Sequence, residues 1–200
     1  MRTSRQRSSS DCYHVVARGV GKQLVFEDAR DRLKFLELMA SALRLKQVSL
    51  YAYCLMDNHI HLLVRGNLAA LSSLAGLLFG AYAQWFNLRH GRSGHLFQNR
   101  YFSEGVESDA HCAVAVRYIH LNPFKAGLSD DCAYRWSSYT EYVEKPRICD
   151  TEFVLNLLGG KDSFIRFHQI DAKDSFSISV AIGTKRGECL TQLRMREPAL

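Results

Sequence analysis

The sequence predicts an α+β fold: a ferredoxin-like βαββαβ core, one added helix after it, and a small helical tail. Two observations carry this prediction. In the first half of the chain, strand-like and helix-like segments follow the order strand, helix, two strands, helix, strand. The two middle strands are separated only by Asp57-Asn58, a two-residue turn signal, so we expect them to pair antiparallel. With 200 residues, 47% of them hydrophobic, the chain can bury one core without disulfide staples.

The elements are predicted in chain order from their local patterns. Tyr13–Val20 is rich in β-branched and aromatic residues, which favours a strand. From Asp28 to Lys46, apolar residues recur at three- and four-residue spacings, which predicts a helix. The rest of the core comprises two strands, a long helix and a fourth strand, predicted at Ser49–Met56, His59–Arg65, Leu68–Arg89 and His95–Val106. A third helix is expected over Asp109–Leu121, before Pro123, because proline disfavours helical backbone in the residue that precedes it.

These patterns divide the chain into a disordered N-terminus over residues 1–12, one domain over 13–139, and a helical or partly disordered extension over 140–200. The net charge of +6 is unevenly distributed along the chain. Residues 1–127 carry 16 basic and 9 acidic side chains, whereas residues 128–200 carry 10 and 11. A basic segment of this kind fits binding to nucleic acid, an anionic membrane surface, or simple solubility.

Cysteine spacing and hydropathy indicate the compartment. The six cysteines lie at least 17 residues apart, so the chain has no CxxC pair typical of a zinc ribbon or a thioredoxin-like site. No apolar stretch approaches the roughly 18 residues of a membrane span, and no signal peptide is visible. We therefore expect a soluble cytoplasmic protein with reduced thiols and no membrane partner.

His59-Ile60-His61 is the first candidate site. Side chains alternate between the two faces of a strand, so both imidazoles project from one face while Ile60 lies on the other. Two neutral imidazoles this close can begin a divalent metal site. The alternative is a pair of half-exposed strand histidines, because two ligands alone do not specify a metal.

Tyr118 and Asn122, near the end of the third helix, form the second candidate site. Residues four apart lie on the same helix face, one turn from each other, so a phenol and an amide sit together there. His120 faces elsewhere on the same helix. On periodicity alone, a core-edge tyrosine and a polar C-terminal residue ahead of Pro123 are the more common explanation.

Together these motifs resemble the single-tyrosine HUH transposases, in particular the REP-associated tyrosine transposases and their insertion-sequence relatives. The resemblance covers residues 13 to 139. It rests on three blocks in the family's order and a trailing Trp-Ser-Ser-Tyr: Met56–Val64 (MDNHIHLLV), Gly94–Phe102 (GHLFQNRYF), Arg117–Leu128 (RYIHLNPFKAGL) and Trp136–Tyr139.

The resemblance implies an HUH fold and an enzyme that cuts and rejoins single-stranded DNA with hairpins, without a nucleotide cofactor. Tyr118 matches the nucleophile that forms a covalent phosphotyrosine. His59 and His61 match the metal-binding histidines, and Asn122 matches the third ligand position. A divalent cation, Mg²⁺ or Mn²⁺, would be the cofactor. The family also suggests a homodimer, in which the tyrosine acts in its own subunit or in the partner's.

Basic residues at element ends and beside these blocks are the predicted DNA-phosphate contacts: Arg18, Arg65, Arg100, Arg117 and Lys125. Histidines without a partner at ligand spacing are interpreted as structural: His14, His90, His95, His111 and His168. Two other functions stay open, a domesticated hairpin-binding protein that no longer cuts DNA and a metal-binding structural domain with no nucleic-acid role.

Overall fold

The computed structural model describes residues 7–169 and the backbone of two short paired strands, Ser179–Val180 and Thr191–Gln192. The predicted core order is confirmed. Its six elements are β1 (Cys12–Arg18), α1 (Ala29–Lys46), β2 (Ser49–Met56), β3 (His59–Arg65), α2 (Leu68–Arg89) and β4 (Phe102–Gly105). The strands form one antiparallel sheet in the order β2-β3-β1-β4, which is the ferredoxin-like topology. A single 3₁₀ turn, Val20–Lys22, follows β1.

Local side-chain chemistry sets the helix starts. The Asp28 side chain caps α1 by accepting hydrogen bonds from the backbone N–H groups of Arg30 and Asp31. The Asp31 carboxylate in turn accepts a hydrogen bond from the Asp28 backbone N–H. Asn67 caps α2 by accepting the Ala70 N–H at 2.9 Å. Each such cap contributes about 1 kcal/mol to helix stability. The predicted Asp57-Asn58 turn is confirmed, since Met56 pairs with the first residue of β3.

Both faces of the sheet are covered, which is why nearly every residue of β2 and β3 is buried. Helices α1 and α2 pack on one face, where Ile60, Leu62 and Val64 enter the larger core. Helix α3 (Asp109–Lys125) packs on the other face against β2 and β3. His59 and His61 alternate with the apolar residues of β3 and therefore face α3.

Helix α2 is the single helix among the described residues with the length and composition to cross a membrane. Its Leu71, Leu74, Leu78, Tyr82 and Phe86 are instead buried in the core beside the sheet. The helix thus uses its apolar side to cover one face of the sheet.

The fourth strand is shorter than the predicted His95–Val106. The segment before it makes isolated bonds with the end of β1 instead of a continuous ladder. Val20 N–H donates to the Leu96 carbonyl at 3.0 Å, and Gln98 N–H donates to the Arg18 carbonyl at 2.8 Å. Only residues 102–105 then pair regularly with β1.

Helix α3 does not stop before Pro123, contrary to the sequence prediction; it runs on to Lys125 with the proline inside it. Proline lies in the last turn, so its missing N–H leaves only one carbonyl of the helix without its usual donor. The helix remains regular beyond the proline, and the N–H of Ala126, which follows its last residue, donates to the Asn122 carbonyl at 3.0 Å. Packing of the buried Pro123 overrides the local preference.

Three short helices follow α3: α4 (Tyr139–Val143), α5 (Thr151–Leu158) and α6 (Lys161–Phe167). They form the small helical tail that the sequence predicts. Helix α5 packs against α3, and the tail also contacts β2, where Phe153 stacks on Tyr51 and the Tyr142 hydroxyl donates to the Tyr51 carbonyl. At the other end of the chain, Ser8 is buried and lies against β4 and its flanking residues, so the packed domain begins before residue 13. Residues 1–6 and most of those beyond 169 lie outside the described part.

A buried histidine pair joins the extension to α3. His120 Nδ1 lies 3.0 Å from His168 Nε2, and His120 Nε2 lies 2.8 Å from the Ser138 hydroxyl. His168 Nδ1 donates to the Phe164 carbonyl at 2.9 Å, which fixes every other proton in the chain of bonds. His168 Nε2 therefore accepts from His120 Nδ1–H, and His120 Nε2 accepts from Ser138 O–H.

The segment before α4 lies along the outer edge of β2. Leu55 N–H donates to the Trp136 carbonyl at 2.9 Å, and Ser138 N–H donates to the Tyr53 carbonyl at 3.0 Å. Tyr53 N–H in turn donates to the Ser138 hydroxyl at 2.9 Å. The Trp-Ser-Ser-Tyr block singled out in the sequence thus begins a short backbone pairing with β2.

Candidate active site

His59 and His61 lie side by side on the α3 face of β3, as the alternation predicts. Their ring centroids are 5.0 Å apart and the ring planes are nearly perpendicular, at 78°. His61 is buried, with 2% of its surface exposed, and His59 is half-buried at the start of the strand. Each ring has one nitrogen held by a neighbour, which determines what the other nitrogen can do.

Asn58 orients His59. The Asn58 side-chain nitrogen donates to the Lys22 carbonyl at 3.4 Å, so its oxygen faces the His59 ring, 2.6 Å from Nδ1. An amide oxygen only accepts, so Nδ1 carries the proton in this contact. In the neutral ring, the Nε2 lone pair of His59 is then available to a metal. The sequence placed Asn58 only in a turn; this second role was missed.

His14 orients His61 in the same way from another strand. His14 lies on β1, and its Nε2 is 2.9 Å from His61 Nδ1. The two rings are nearly parallel, at 6°, with centroids 5.2 Å apart. The sequence assigned His14 a structural role because it has no partner at ligand spacing. Strand alternation places it on the Arg18 face of β1, but only the observed pairing of Val16 with His61 brings that face to the HxH motif.

Burial keeps these imidazoles neutral. It lowers the pKa of His59 to about 4, with the Arg18 charge adding to the effect. The pKa of His61 falls well below its ordinary value for the same reason, assisted by His14, His59 and Arg18. Burial also lowers the pKa of His14 to about 4, with a smaller contribution from His111. Neutral imidazole is the form that binds a metal ion.

Tyr118 of α3 packs against this cluster from its own chain. Its ring centroid lies 5.8 Å from that of His14 and 6.0 Å from that of His61, edge-on to both. Tyr118 is 7% exposed. The Lys125 ammonium lies 5.4 Å from the centroid of the Tyr118 ring. The structure therefore brings together the predicted nucleophile, both HxH histidines and one predicted phosphate contact.

Asn122 is beside Tyr118, as helical spacing predicts. Its side-chain nitrogen donates to the Tyr118 backbone carbonyl at 2.8 Å. The hydrogen bonds of the described residues thus tie the Asn122 amide to its own helix and not to the histidines. Its assignment as a third ligand stays a prediction.

The donor set fits part of a divalent metal site. Within the described residues, no three His, Cys, Asp or Glu side chains are arranged to hold a metal ion. His61 Nε2 is nevertheless buried with no hydrogen-bond partner among those residues, and His59 Nε2 is left uncommitted by the Asn58 contact. Two unshared imidazole lone pairs on one strand face match two ligands of an open site, whose remaining positions belong to other oxygen or nitrogen donors.

Of the predicted phosphate contacts, Arg18 lies at the candidate site, whereas Arg65 and Arg100 lie away from it. Arg18 ends β1 opposite His59 and is close enough to lower the pKa of both HxH histidines, so it belongs to the site. Arg65 is four residues beyond His61 on β3, about 13 Å along the strand at the usual rise. Its guanidinium contacts the Tyr51 hydroxyl at 3.4 Å. Arg100 is exposed on the α2 side of the sheet, where it lines an open groove of about 690 Å³.

Arg117 is held within the protein, and its role as a DNA contact stays a prediction. It is 5% exposed, and its guanidinium donates to the carbonyls of Phe167 and Gln169 at the end of α6. A cation at a helix C-terminus complements the helix dipole and satisfies its last carbonyls. Spacing within α3 does not reveal this partner, because α6 lies about 50 residues further along the chain.

Comparisons with known proteins identify a family for this chain and a solved structure with a similar fold. The profile of the family described as "Transposase IS200 like" matches residues 8–122, more than half of the chain. Comparison with curated proteins gives no match. The solved structure of a REP-associated tyrosine transposase bound to a REP hairpin is 13% identical, with a TM-score of 0.52 over 72% of this chain and 85% of that one. A proposed transposase from Deinococcus radiodurans R1 is 16% identical, with a TM-score of 0.42 over 57% of this chain and 92% of that one.

The HUH fold predicted from the sequence agrees with the first of these structures. The matched segment includes β1, the HxH strand and the tyrosine helix, which are the elements that meet at the candidate site. The chain belongs to the IS200-like transposase family.

Proposed function

We propose that this transposase cuts and rejoins single-stranded DNA through a covalent bond between Tyr118 and DNA. The observation that carries the proposal is the packing of Tyr118 against His61, at 6.0 Å between ring centroids, beside two imidazoles with uncommitted nitrogens. Three elements far apart in sequence converge on one face of the sheet to make this arrangement. A purely structural role does not require a phenol beside unsatisfied histidine nitrogens.

The proposed reaction is an in-line displacement at a DNA phosphate. The Tyr118 oxygen loses its proton and attacks phosphorus, the bond to the 3′ oxygen of the neighbouring nucleotide breaks, and a phosphotyrosine and a 3′ hydroxyl result. Attack by another 3′ hydroxyl reverses the step and releases the tyrosine. The phosphodiester bond energy is kept in the phosphotyrosine, so the proposed reaction needs no nucleotide cofactor.

His59 and His61 would hold the divalent cation, Mg²⁺ or Mn²⁺, with Asn122 as the predicted third ligand. When bound, such an ion supplies Lewis-acid stabilisation of charge on a non-bridging phosphate oxygen. Arg18 places positive charge beside the histidines and Lys125 places positive charge beside Tyr118, where the phosphates of the substrate must lie. These two side chains orient the strand, and the packed face of α3 holds the phenol in place.

Hairpin-bearing single-stranded DNA is the proposed substrate, because the similar solved structure contains a REP hairpin. Tyr118 contacts His61 of the same chain in this structure. The homodimer stays a prediction, with the tyrosine acting in its own subunit or in the partner's. The five described cysteines are buried free thiols, which suits the cytoplasm that we propose as the compartment.

The test is a covalent-adduct assay with labelled hairpin DNA and Mg²⁺ or Mn²⁺. Wild-type protein should form an adduct that survives denaturing gel electrophoresis, and Tyr118→Phe should form none. Tyr139→Phe is the matched control, because it removes a phenol from the other histidine cluster. An adduct in Tyr118→Phe would exclude this nucleophile. Hairpin binding without any adduct in the wild type would favour the binding-only alternative.

A further inference from the structure

His14 and His61 form a buried imidazole pair whose outer nitrogens both lack partners. His14 is fully buried and His61 is 2% exposed, so bulk water does not reach their shared bond. His14 Nδ1 and His61 Nε2 have no hydrogen-bond partner within residues 7–169. A pair of neutral rings joined by one bond has two proton arrangements: either His61 donates and keeps its Nε2 lone pair, or His14 donates and His61 Nε2 carries the proton.

The surrounding charge favours the first arrangement. Arg18 is paired across the sheet with His59, which is two residues from His61 on β3, whereas His14 is four residues from Arg18 along β1, so Arg18 lies nearer to His61. A guanidinium repels an N–H group and attracts a lone pair. Of the two outer nitrogens, the one on the ring nearer to Arg18, His61 Nε2, is therefore the better place for a lone pair. The same arrangement matches His59, whose Nδ1 proton is held by Asn58.

We propose that His14 is a positioning residue for the HxH motif: it accepts the His61 Nδ1 proton and thereby directs the His61 Nε2 lone pair towards the metal. The ring planes are near-parallel, at 6°, and the ring centroids are 5.2 Å apart across a 2.9 Å contact between nitrogens. The two rings therefore meet end to end with the bond close to the plane of both, which also fixes the rotation of His61. Partners of this kind usually are carboxylates or carbonyls. Here the partner is a second imidazole supplied by the neighbouring strand.

His14 also links the two halves of the site. Its ring touches Tyr118 edge-on at 5.8 Å while it holds His61 through the hydrogen bond. One side chain on the central strand β1 therefore sets the relative position of a metal ligand and the nucleophile. The metal part of this inference rests on the proposed function, whereas the proton arrangement does not.

The direct test is ¹⁵N NMR of the histidine side chains in the metal-free protein near neutral pH. We expect His61 in wild type to carry its proton on Nδ1, and to shift towards the Nε2–H form in His14→Phe, which keeps a ring but removes the acceptor. His14→Gln should preserve the wild-type form, because the amide oxygen occupies the region of Nε2. An Nε2–H form of His61 in wild type would overturn the proposal. Thermal unfolding of each variant shows that it is folded.

The second readout is Mn²⁺ affinity, measured by electron paramagnetic resonance without DNA and with a hairpin. His14→Phe should weaken binding about 10- to 100-fold, the usual effect of losing an orienting partner, and His14→Gln should recover most of it. His168→Gln, at a buried histidine outside the site, is the matched control and should bind as wild type. Equal affinity of His14→Phe and wild type would overturn the positioning role. Absence of Mn²⁺ binding in wild type would instead contradict the proposed metal site, and the NMR result would still decide the proton arrangement.

Discussion

Two buried histidine clusters lie on opposite sides of α3, and they differ in how their protons are satisfied. The His120–His168 pair is closed at both ends, by the Ser138 hydroxyl and by the Phe164 carbonyl. The His14–His61 pair is open at both ends, with a buried nitrogen on each ring that lacks a partner among the described residues. Burial lowers the pKa of the histidines in both clusters, so pKa alone does not separate them.

The unsatisfied nitrogens, rather than the pKa values, distinguish the candidate site from the structural cluster. An unsatisfied buried polar nitrogen costs about 1–3 kcal/mol, so a cluster that leaves two of them open gives up stability. The closed cluster gives up nothing and joins the extension to α3. We interpret the open ends as capacity for a ligand and the closed ends as architecture. The two clusters should therefore respond differently to substitution and to acid.

The largest effect is expected at the open cluster. His59→Ala should slow adduct formation by at least about 100-fold, because it removes one of the two imidazoles that would hold the metal. Its unfolding free energy should change by no more than about 1 kcal/mol, since the half-buried ring loses one hydrogen bond, to Asn58, and one edge contact, with His61. Single-turnover adduct assays and urea denaturation measure the two quantities. A folded variant with wild-type adduct rates would remove His59 from the site.

The closed cluster should respond in the opposite way. His168→Ala should lower the unfolding free energy by about 3 kcal/mol, because it leaves the His120 N–H without its acceptor and opens a cavity beside Phe164. Adduct formation at 20 °C should stay within about threefold of wild type. Urea denaturation and the adduct assay decide this prediction, and a large loss of activity in a stable variant would contradict it.

Acid should weaken the closed cluster in a defined pH range. Burial lowers the pKa of His168 to about 3 in the folded protein, against an ordinary value near 6.5. Between these values the unfolded chain binds a proton that the folded chain refuses, so stability is full above about pH 6.5 and falls on acidification. The slope is about 1.4 kcal/mol per pH unit for this histidine. Urea denaturation between pH 5 and 7 should show a shallower slope for His168→Gln, and equal slopes would refute the assignment.

The smallest effect separates two arginines that the sequence treats alike. Arg18→Gln should weaken hairpin binding about threefold to tenfold and reduce the salt dependence by about one counterion, as loss of a phosphate contact does. Arg117→Gln should leave the salt dependence unchanged and lower the unfolding free energy by about 2 kcal/mol, because it uncaps α6. Titrations at several salt concentrations measure the first effect. An altered salt dependence of hairpin binding in Arg117→Gln would show that Arg117 contacts DNA phosphate.

The sequence predicted the core elements well where local pattern decides them. Strands β2 and β3 and helix α2 have the predicted bounds, because alternation, helical spacing and turn residues act over short distances. The prediction failed where residues distant in the sequence determine the end of a helix or the burial of a side chain. Helix α3 passes through Pro123 because packing overrides local preference, and Arg117 is buried by a helix about 50 residues away.

The candidate site shows the same division. His59, His61 and Tyr118 come together as the motifs imply, since their spacing within one strand and one helix fixes their faces. His14 depends on the register between β1 and β3, which are separated by two other elements. No periodicity within β1 reports that register, so an isolated histidine there reads as structural until the sheet is assembled.

The pairing of Trp136–Ser138 with β2 also bears on solubility. β2 is an outer strand whose side chains are nearly all buried, and an open edge of this kind invites association with other strands. The Leu55 and Tyr53 N–H groups are instead occupied by the chain's own segment. That segment shields part of the sheet edge against intermolecular aggregation, so a protein shortened to residue 135 should lose solubility even if the residues around Tyr118 are retained.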